Sequence, residues 1–178
     1  MKLEKGLVQV YTGDGKGKTT AAIGQGMRAY GNGLKIYMVQ FLKGGPTGEL
    51  KTIDELNDNF KIFRFEKPRD FVWNLNEDEK EELKREIKEG YKFIINTIKE
   101  NKCDVLIIDE IMGVLYNKFL TEEEVIYIID NKPQSMELIL TGRNIPEAIL
   151  KKSDLVTEMK CIKHYFEKGV GARKGIEY

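Results

Sequence analysis

The sequence is poor in the residues from which many catalytic centres are built: it has two cysteines, one histidine and one tryptophan in 178 residues. Cys103 and Cys161 are isolated and outside any C-x-x-C spacing, so neither a disulfide framework nor a zinc cluster is expected, and both read as small core residues. His164 stands alone near the C-terminal end and reads as a satisfied structural histidine; no Ser-His-Asp or Cys-His constellation exists. Charge of one sign is also missing. Twenty-nine Lys and Arg balance 29 Asp and Glu, which leaves no basic footprint for nucleic acid. The pairs Lys151-Lys152 and Arg173-Lys174 are short and read as solvated surface. No apolar run approaches the roughly 20 residues of a membrane span, and the opening segment, Met1-Lys2-Leu3-Glu4-Lys5-Gly6, lacks a signal's apolar stretch. These features predict a protein of the reducing cytoplasm. Repeats, linkers and low-complexity segments are absent as well.

What is present is an ordinary globular balance, 41% apolar and 33% charged, over a length that suits one domain spanning residues 1–178. Short β-like runs at 7–11, 35–41, 60–65, 104–109, 136–140 and 155–161 alternate with helical patterns. Continuous apolar runs such as Val105-Leu106-Ile107-Ile108 suit strands of a parallel sheet covered on both faces. The longest helix is predicted to start after Asn76, with Glu77, Asp78 and Glu79 in its first turn and a core stripe of Leu83, Ile87, Tyr91, Ile94 and Ile98. Thr121 and Glu124 form a capping-box pattern for a second helix that ends before Pro133, and a short third follows Asn144, with Pro146 near its first turn. The expectation is an α/β fold: a single doubly wound, mostly parallel sheet with helices on both faces, of the P-loop NTPase or RecA-like kind. Ligands in such folds bind beyond the C-terminal ends of the strands.

The segment Thr12-Gly13-Asp14-Gly15-Lys16-Gly17-Lys18-Thr19-Thr20 lies between the first β-run and a helical pattern from about residue 18 to 30. Strand, glycine-rich loop and helix are the context of a phosphate-binding loop. Glycines let backbone N–H groups turn toward an anion, and the helix start adds partial positive charge. Lys18 can reach phosphate oxygens, and the Thr19 hydroxyl can ligate Mg²⁺. Threonine stands where the pattern G-x-x-x-x-G-K-[ST] has its first glycine, and an extra glycine follows at Gly13. The plainer alternative is a surface glycine turn that carries lysines.

The run Val105-Leu106-Ile107-Ile108-Asp109-Glu110 looks like a Walker B strand, whose carboxylate serves the Mg²⁺ of a bound nucleotide triphosphate. Alternation puts Asp109 and Glu110 on opposite sides if the chain stays extended, and the pattern does not choose between them. A solvated acidic turn is the plainer reading. Arg143, after the fifth β-run, can contact phosphate or ribose oxygens, or serve structure. No group stands out as a general base, which fits a nucleophile that arrives already activated.

Several of these motifs, in order, resemble the ATP:corrinoid adenosyltransferases of cobalamin synthesis and salvage. They are the loop with its unusual threonine, Val39-Gln40-Phe41-Leu42-Lys43-Gly44, the Asp109-Glu110 strand, Thr141-Gly142-Arg143, and the tail from Lys163-His164 to Gly175-Ile176-Glu177-Tyr178. The similarity runs from about Gly6 to Tyr178. It implies transfer of the 5′-deoxyadenosyl group of ATP to the cobalt of a reduced corrinoid, with triphosphate released. ATP would lie in the loop (Gly13, Asp14, Gly15, Lys16, Gly17, Lys18, Thr19, Thr20, with Arg143), its phosphates reversed relative to other P-loop enzymes. Lys18, Thr19 and Glu110 would act in catalysis. Thr19, Asp109 and Glu110 would serve Mg²⁺, with Glu110 the nearer carboxylate on the family match. Phe71-Val72-Trp73 alone reads as packing; in the family it matches an aromatic pair beside the corrinoid that helps exclude the lower axial ligand of cobalt. The resemblance also implies a homodimer and a flavoprotein reductant. Relatives often carry an N-terminal extension that closes over the site, and here the first strand begins near Leu7, so that lid is expected to be short or missing. Two readings compete with this one: another P-loop enzyme such as a small-molecule kinase, and a regulatory nucleotide-binding module.

Overall fold

In the computed structural model, which describes residues 3–178, the six apolar runs form six strands of one sheet. In chain order the elements are β1 (Val8–Thr12), α1 (Lys18–Gly31), β2 (Ile36–Gln40), α2 (Gly48–Asp54), β3 (Phe60–Phe63), α3 (Glu77–Lys99), β4 (Val105–Asp109), α4 (Ile111–Tyr116), α5 (Glu122–Asn131), β5 (Glu137–Thr141), α6 (Glu147–Lys152) and β6 (Leu155–Glu158). The strands lie in the order β3-β2-β4-β5-β1-β6 and every pairing is parallel. The expected doubly wound, P-loop-like sheet is therefore present, with no antiparallel member among the described residues.

The order explains the two layers of helices. From β1 the chain crosses over β5 and β4 to β2 and then steps to β3; from β3 it returns through β4 and β5 and finally over β1 to β6. Right-handed crossovers in opposite directions put their helices on opposite faces. Ala22 and Ala29 of α1 and Ile53 of α2 accordingly pack with Ile36, Met38, Val105, Ile107 and Ile139. Helices α3 to α6 cover the other face, with Val39, Leu106, Ile108, Leu138 and Leu140. Each continuous apolar run is thus divided residue by residue between two cores, the period-two geometry of a strand buried on both sides. Edge strand β6 is the exception: all four of its residues are exposed, and it ends before the expected run to 161.

Both capping boxes form. Asn76 Oδ1 accepts from Glu79 N at 2.9 Å while Glu79 Oε2 accepts from Asn76 N at 2.9 Å; Thr121 and Glu124 repeat the exchange at 3.3 and 3.0 Å. Of the α3 stripe, Leu83, Ile87, Ile94 and Ile98 are buried and Tyr91 packs against them. Two short helices, α2 and α4, have no counterpart in the sequence reading. Helix α4 follows β4 without a break, so its apolar residues Ile111, Met112 and Val114 look like more of the strand's own run. No helix among the described residues is long and apolar enough to cross a membrane.

The loops after β2 and β3 are tied together by Glu66. Its Oε2 accepts from Leu42 N at 2.8 Å, and Leu42 adopts a left-handed φ of 55°. Its Oε1 is buried without a hydrogen-bond partner among the described residues. Burial, with Glu86 adding to it against the Leu42 N–H, pushes the Glu66 carboxyl up to about 7. The folded protein then binds this proton more tightly than the unfolded chain. The resulting stabilisation is complete below the ordinary carboxylate range and is lost as pH rises toward 7. Replacing Glu66 by Gln, which keeps the acceptor for Leu42 and never ionises, should therefore leave stability near parental at pH 4.5. At pH 8 it should raise it by on the order of 2 kcal/mol in urea unfolding. An equal effect at both pH values would show that the fold does not raise the Glu66 pKa.

Candidate active site

All the motif residues of the loops lie at the C-terminal edge of the sheet, where the parallel strands end together. The chain leaving β1 turns through Gly13 and Gly17, at φ 102° and 113°, conformations that side chains disfavour. Gly13 answers a second demand. A Cβ there would stand 2.3 Å from the Met159 carbonyl oxygen, so the extra glycine lets the loop lie against the backbone that follows β6. Gly15 N donates to that same oxygen at 2.7 Å, and Asp14 Oδ1 accepts from Cys161 N at 3.1 Å. Helix α1 begins at Lys18 with Gly17 as its N-cap and no side chain bonded to its first N–H groups. Those donors and the helix dipole are left for an anion. Lys18 Nζ meanwhile donates to the loop's own carbonyls, Gly13 O at 2.7 Å and Gly15 O at 2.8 Å. Burial, reinforced by Arg143, holds its pKa below the usual lysine value.

Beneath the loop lies Asp109, wholly buried at the end of β4. Its Oδ1 accepts from the hydroxyls of Thr19 (2.9 Å) and Thr141 (2.6 Å). Its Oδ2 accepts from Lys43 Nζ (2.6 Å) and Gln40 Nε2 (3.2 Å). Lys43 Nζ also donates to Thr19 Oγ1 at 2.9 Å. Strands β2, β4 and β5 and helix α1 thus all contribute to one polar cluster. Gln40 extends it outward: its Oε1 accepts from Arg64, whose guanidinium also holds Gly45 O and Thr47 Oγ1.

Glu110 does not continue the strand. At φ 61° it turns the chain into α4, and its N–H donates to Thr141 Oγ1 at 2.8 Å. The extended alternation considered for Asp109 and Glu110 is therefore not what the chain adopts. Of the two carboxylates Asp109 bonds Thr19, whereas Glu110 makes no such bond. Burial and the neighbouring Asp109 charge raise the Glu110 pKa, against Lys43, Lys18 and Arg143. It therefore lies in the same electrostatic neighbourhood as the loop.

An open cavity of about 1020 Å³ covers this region, lined by residues 14–20, Lys43, Arg143 and the tail. The tail closes one side. Glu177 accepts from Lys16 Nζ at 2.8 Å, and Tyr165 and Arg173 also donate to it, which holds its carboxyl well below the usual range. His164 lines the cavity and its Nδ1 accepts from Phe166 N at 3.1 Å, in keeping with a structural histidine. Cys103 is buried as expected, but Cys161 is only half-buried and borders the cavity.

Phe71 and Trp73 are not part of that lining. They flank Val72 in a 3-10 turn, Val72–Asn74; Val72 packs toward the core while the two rings stack at 4.6 Å and 4°, 64% and 76% exposed. Ion pairs of Lys67 and Arg69 with Glu82 and Glu86 fasten the preceding segment to α3. The same segment touches the Lys43 loop, where a Cβ on Gly44 would stand 2.5 Å from Pro68 Cα. A parallel pair of large rings in water is an unfilled apolar surface.

Residues 4–178 match the family described as ATP:corrinoid adenosyltransferase BtuR/CobO/CobP. The chain belongs to this family. It is 33% identical to the corrinoid adenosyltransferase of Escherichia coli (strain K12) over 176 residues, 98% of this chain and 87% of that protein. It is also 33% identical to the corrinoid adenosyltransferase CobA of Salmonella typhimurium over 178 residues, again 98% and 87% of the two chains. The Pseudomonas aeruginosa corrinoid adenosyltransferase is 29% identical over 98% of this chain. The sequence reading gave no role in this family site to Lys43, Gln40, Arg64 or Glu177. The first two stood in the quoted Val39–Gly44 motif, at the end of a strand where ligands bind.

Thr141 satisfies both the Asp109 carboxylate and the Glu110 N–H. Thr141→Val keeps its shape and removes both bonds, and should cost about 1–3 kcal/mol in urea unfolding. A loss below experimental error would show that the Asp109 cluster reorganises freely.

Proposed function

We propose that the protein adenosylates a reduced corrinoid: cobalt attacks C5′ of ATP with its electron pair to form a cobalt–carbon bond, and triphosphate leaves with the electrons of the broken C5′–O bond. The observation that carries this reading is the pairing of a phosphate-loop cavity rich in cations with an exposed stacked aromatic pair on the adjoining segment. The site has cations for a leaving group, and the sequence offers no obvious general base. That suits a nucleophile needing no deprotonation. The chain's contribution would be alignment and neutralisation of charge. Lys18 and the start of α1 would face the triphosphate, with residues 13–20 forming its cradle and Arg143 at the rim.

Mg²⁺ fits this site. Among the described residues no group of three or more His, Cys, Asp and Glu side chains gathers to cage a metal. Mg²⁺ ordinarily asks for less, one or two protein oxygens together with substrate phosphates and waters. The hard oxygens of Thr19 and Asp109 already hold a cation, the Lys43 ammonium. Thr19, with Asp109 or the nearby Glu110, would hold the metal, which would supply further neutralisation of the triphosphate. The family resemblance extends the reading to a cytoplasmic homodimer whose corrinoid substrate is reduced by a flavoprotein. Phe71 and Trp73 would lie against the corrin and keep the lower axial ligand from cobalt.

Lys18→Ala should lower adenosylation by about 100-fold or more in a protein with parental circular dichroism. Near-parental turnover would remove Lys18 from the site. The product distinguishes a kinase: with Mg·ATP and chemically reduced cobalamin, triphosphate and a cobalt–carbon bond are expected, and ADP would support phosphoryl transfer instead. Replacing Phe71 and Trp73 together by Ala should leave ATP binding intact and abolish the four-coordinate signature of bound cob(II)alamin in paramagnetic resonance. Activity should fall less with cob(I)alamin supplied ready reduced than with a weak reductant. Joint loss of folding and ATP binding would mark the rings as packing.

A further inference from the structure

Lys43 reaches from an open loop to a buried anion. It follows β2 by three residues, on a loop fixed by the Leu42–Glu66 bond and by the contact of Gly44 with Pro68. From there its ammonium reaches down to Asp109 Oδ2 at 2.6 Å and Thr19 Oγ1 at 2.9 Å. The Asp109 side chain is 0% exposed and that of Lys43 25% exposed, and Lys43 borders the cavity while Asp109 lies beneath it. The ammonium is thus the link between a buried anion and the open pocket.

Three physical facts constrain what this link does. A carboxylate buried without a counter-charge is strongly unfavourable, so Asp109 requires a cation even when nothing is bound. An ammonium and a divalent cation cannot share the same pair of oxygens at contact distance. Lysine carries its charge on a flexible four-carbon stem that can re-aim without moving the backbone. We propose that Lys43 is an exchangeable counter-cation: it neutralises Asp109 while the site lacks nucleotide, yields the Thr19 and Asp109 oxygens to the divalent ion that arrives with ATP, and turns its ammonium onto the triphosphate. This rests on the reading of Thr19 and its carboxylates as a magnesium–ATP site. It adds a triphosphate-contacting cation outside the phosphate loop and makes metal entry a competition with the protein's own charge.

The experiment uses the whole protein without nucleotide. Mn²⁺ binding, followed by paramagnetic resonance, should tighten about tenfold or more in Lys43→Met, the equivalent of one charge-assisted bond removed from competition. Lys43→Arg, which keeps the charge, should bind Mn²⁺ as weakly as the parent. Calorimetry with metal-free tripolyphosphate should show about tenfold weaker binding to Lys43→Met, because the re-aimed ammonium is lost. Unchanged Mn²⁺ affinity in folded Lys43→Met would overturn the exchange, and unchanged tripolyphosphate affinity would overturn the second contact. If the parent itself fails to bind Mg·ATP, the underlying site reading falls instead. Should Lys43→Met not fold, the parent labelled with ¹⁵N-lysine decides: the Lys43 ammonium resonance should move on addition of Mg²⁺ and a non-reacting ATP analogue, and a stationary resonance refutes the proposal.

Discussion

The architecture of the site depends on one buried carboxylate. Asp109 is removed from water at the end of β4 and its two oxygens accept four hydrogen bonds. Each donor belongs to a different element: Thr19 to α1, Gln40 to β2, Lys43 to the loop after β2, and Thr141 to β5. A charge at that depth is tolerated only when it is surrounded in this way. The need to surround it fixes the start of α1, and with it the phosphate loop, relative to the sheet. The same need reaches outward through Gln40 to Arg64 and the turn that opens α2. What looks like a nucleotide site is, in the absence of nucleotide, the means by which the fold satisfies Asp109.

Most of the fold was legible because its signals are local and periodic. The six β-runs were found within a few residues of their ends, and the capping boxes at Asn76 and Thr121 are chemical patterns that only a helix start explains. The short helices were missed for an equally local reason. Glu110 enters the left-handed region, which is uncommon for a residue other than glycine, and the apolar residues after it prolong the pattern of the strand. The sequence brought Thr19 and the Asp109-Glu110 pair to one site by motif, but which carboxylate touches Thr19 depends on that turn. Lys43 and Glu177 were harder still. Their partners lie 66 and 161 positions away in sequence, and no spacing rule joins them.

The parallel sheet explains why so many loops can serve one cavity. Six strands that all run the same way end at one edge, and the crossovers on the two faces deliver the following loops there together. The segment after β6 then acts as a brace. Met159 and Cys161 hold Gly15 and Asp14 by backbone and side-chain bonds, and the tail beyond them closes on Lys16. The unusual glycine at Gly13 belongs to this brace as much as to phosphate binding, since only glycine fits between the loop and the Met159 carbonyl. The departure from the common loop pattern thus has a structural cause.

The three lysines that line the cavity share a further property: each is already engaged. Lys18 lies on the carbonyls of Gly13 and Gly15, Lys16 on Glu177 and the Ile176 carbonyl, and Lys43 on Asp109. Three ammonium groups in a small volume would otherwise repel one another and destabilise the loop. Holding each on its own acceptor offsets part of that repulsion. On the proposed reading, a triphosphate would take Lys16 and Lys43 from carboxylates and Lys18 from uncharged carbonyls. On that reading, a leaving group whose negative charge grows as the C5′–O bond breaks would gain more from these cations than the intact nucleotide does. Interactions that strengthen in this order are the ones that raise the rate of the chemical step.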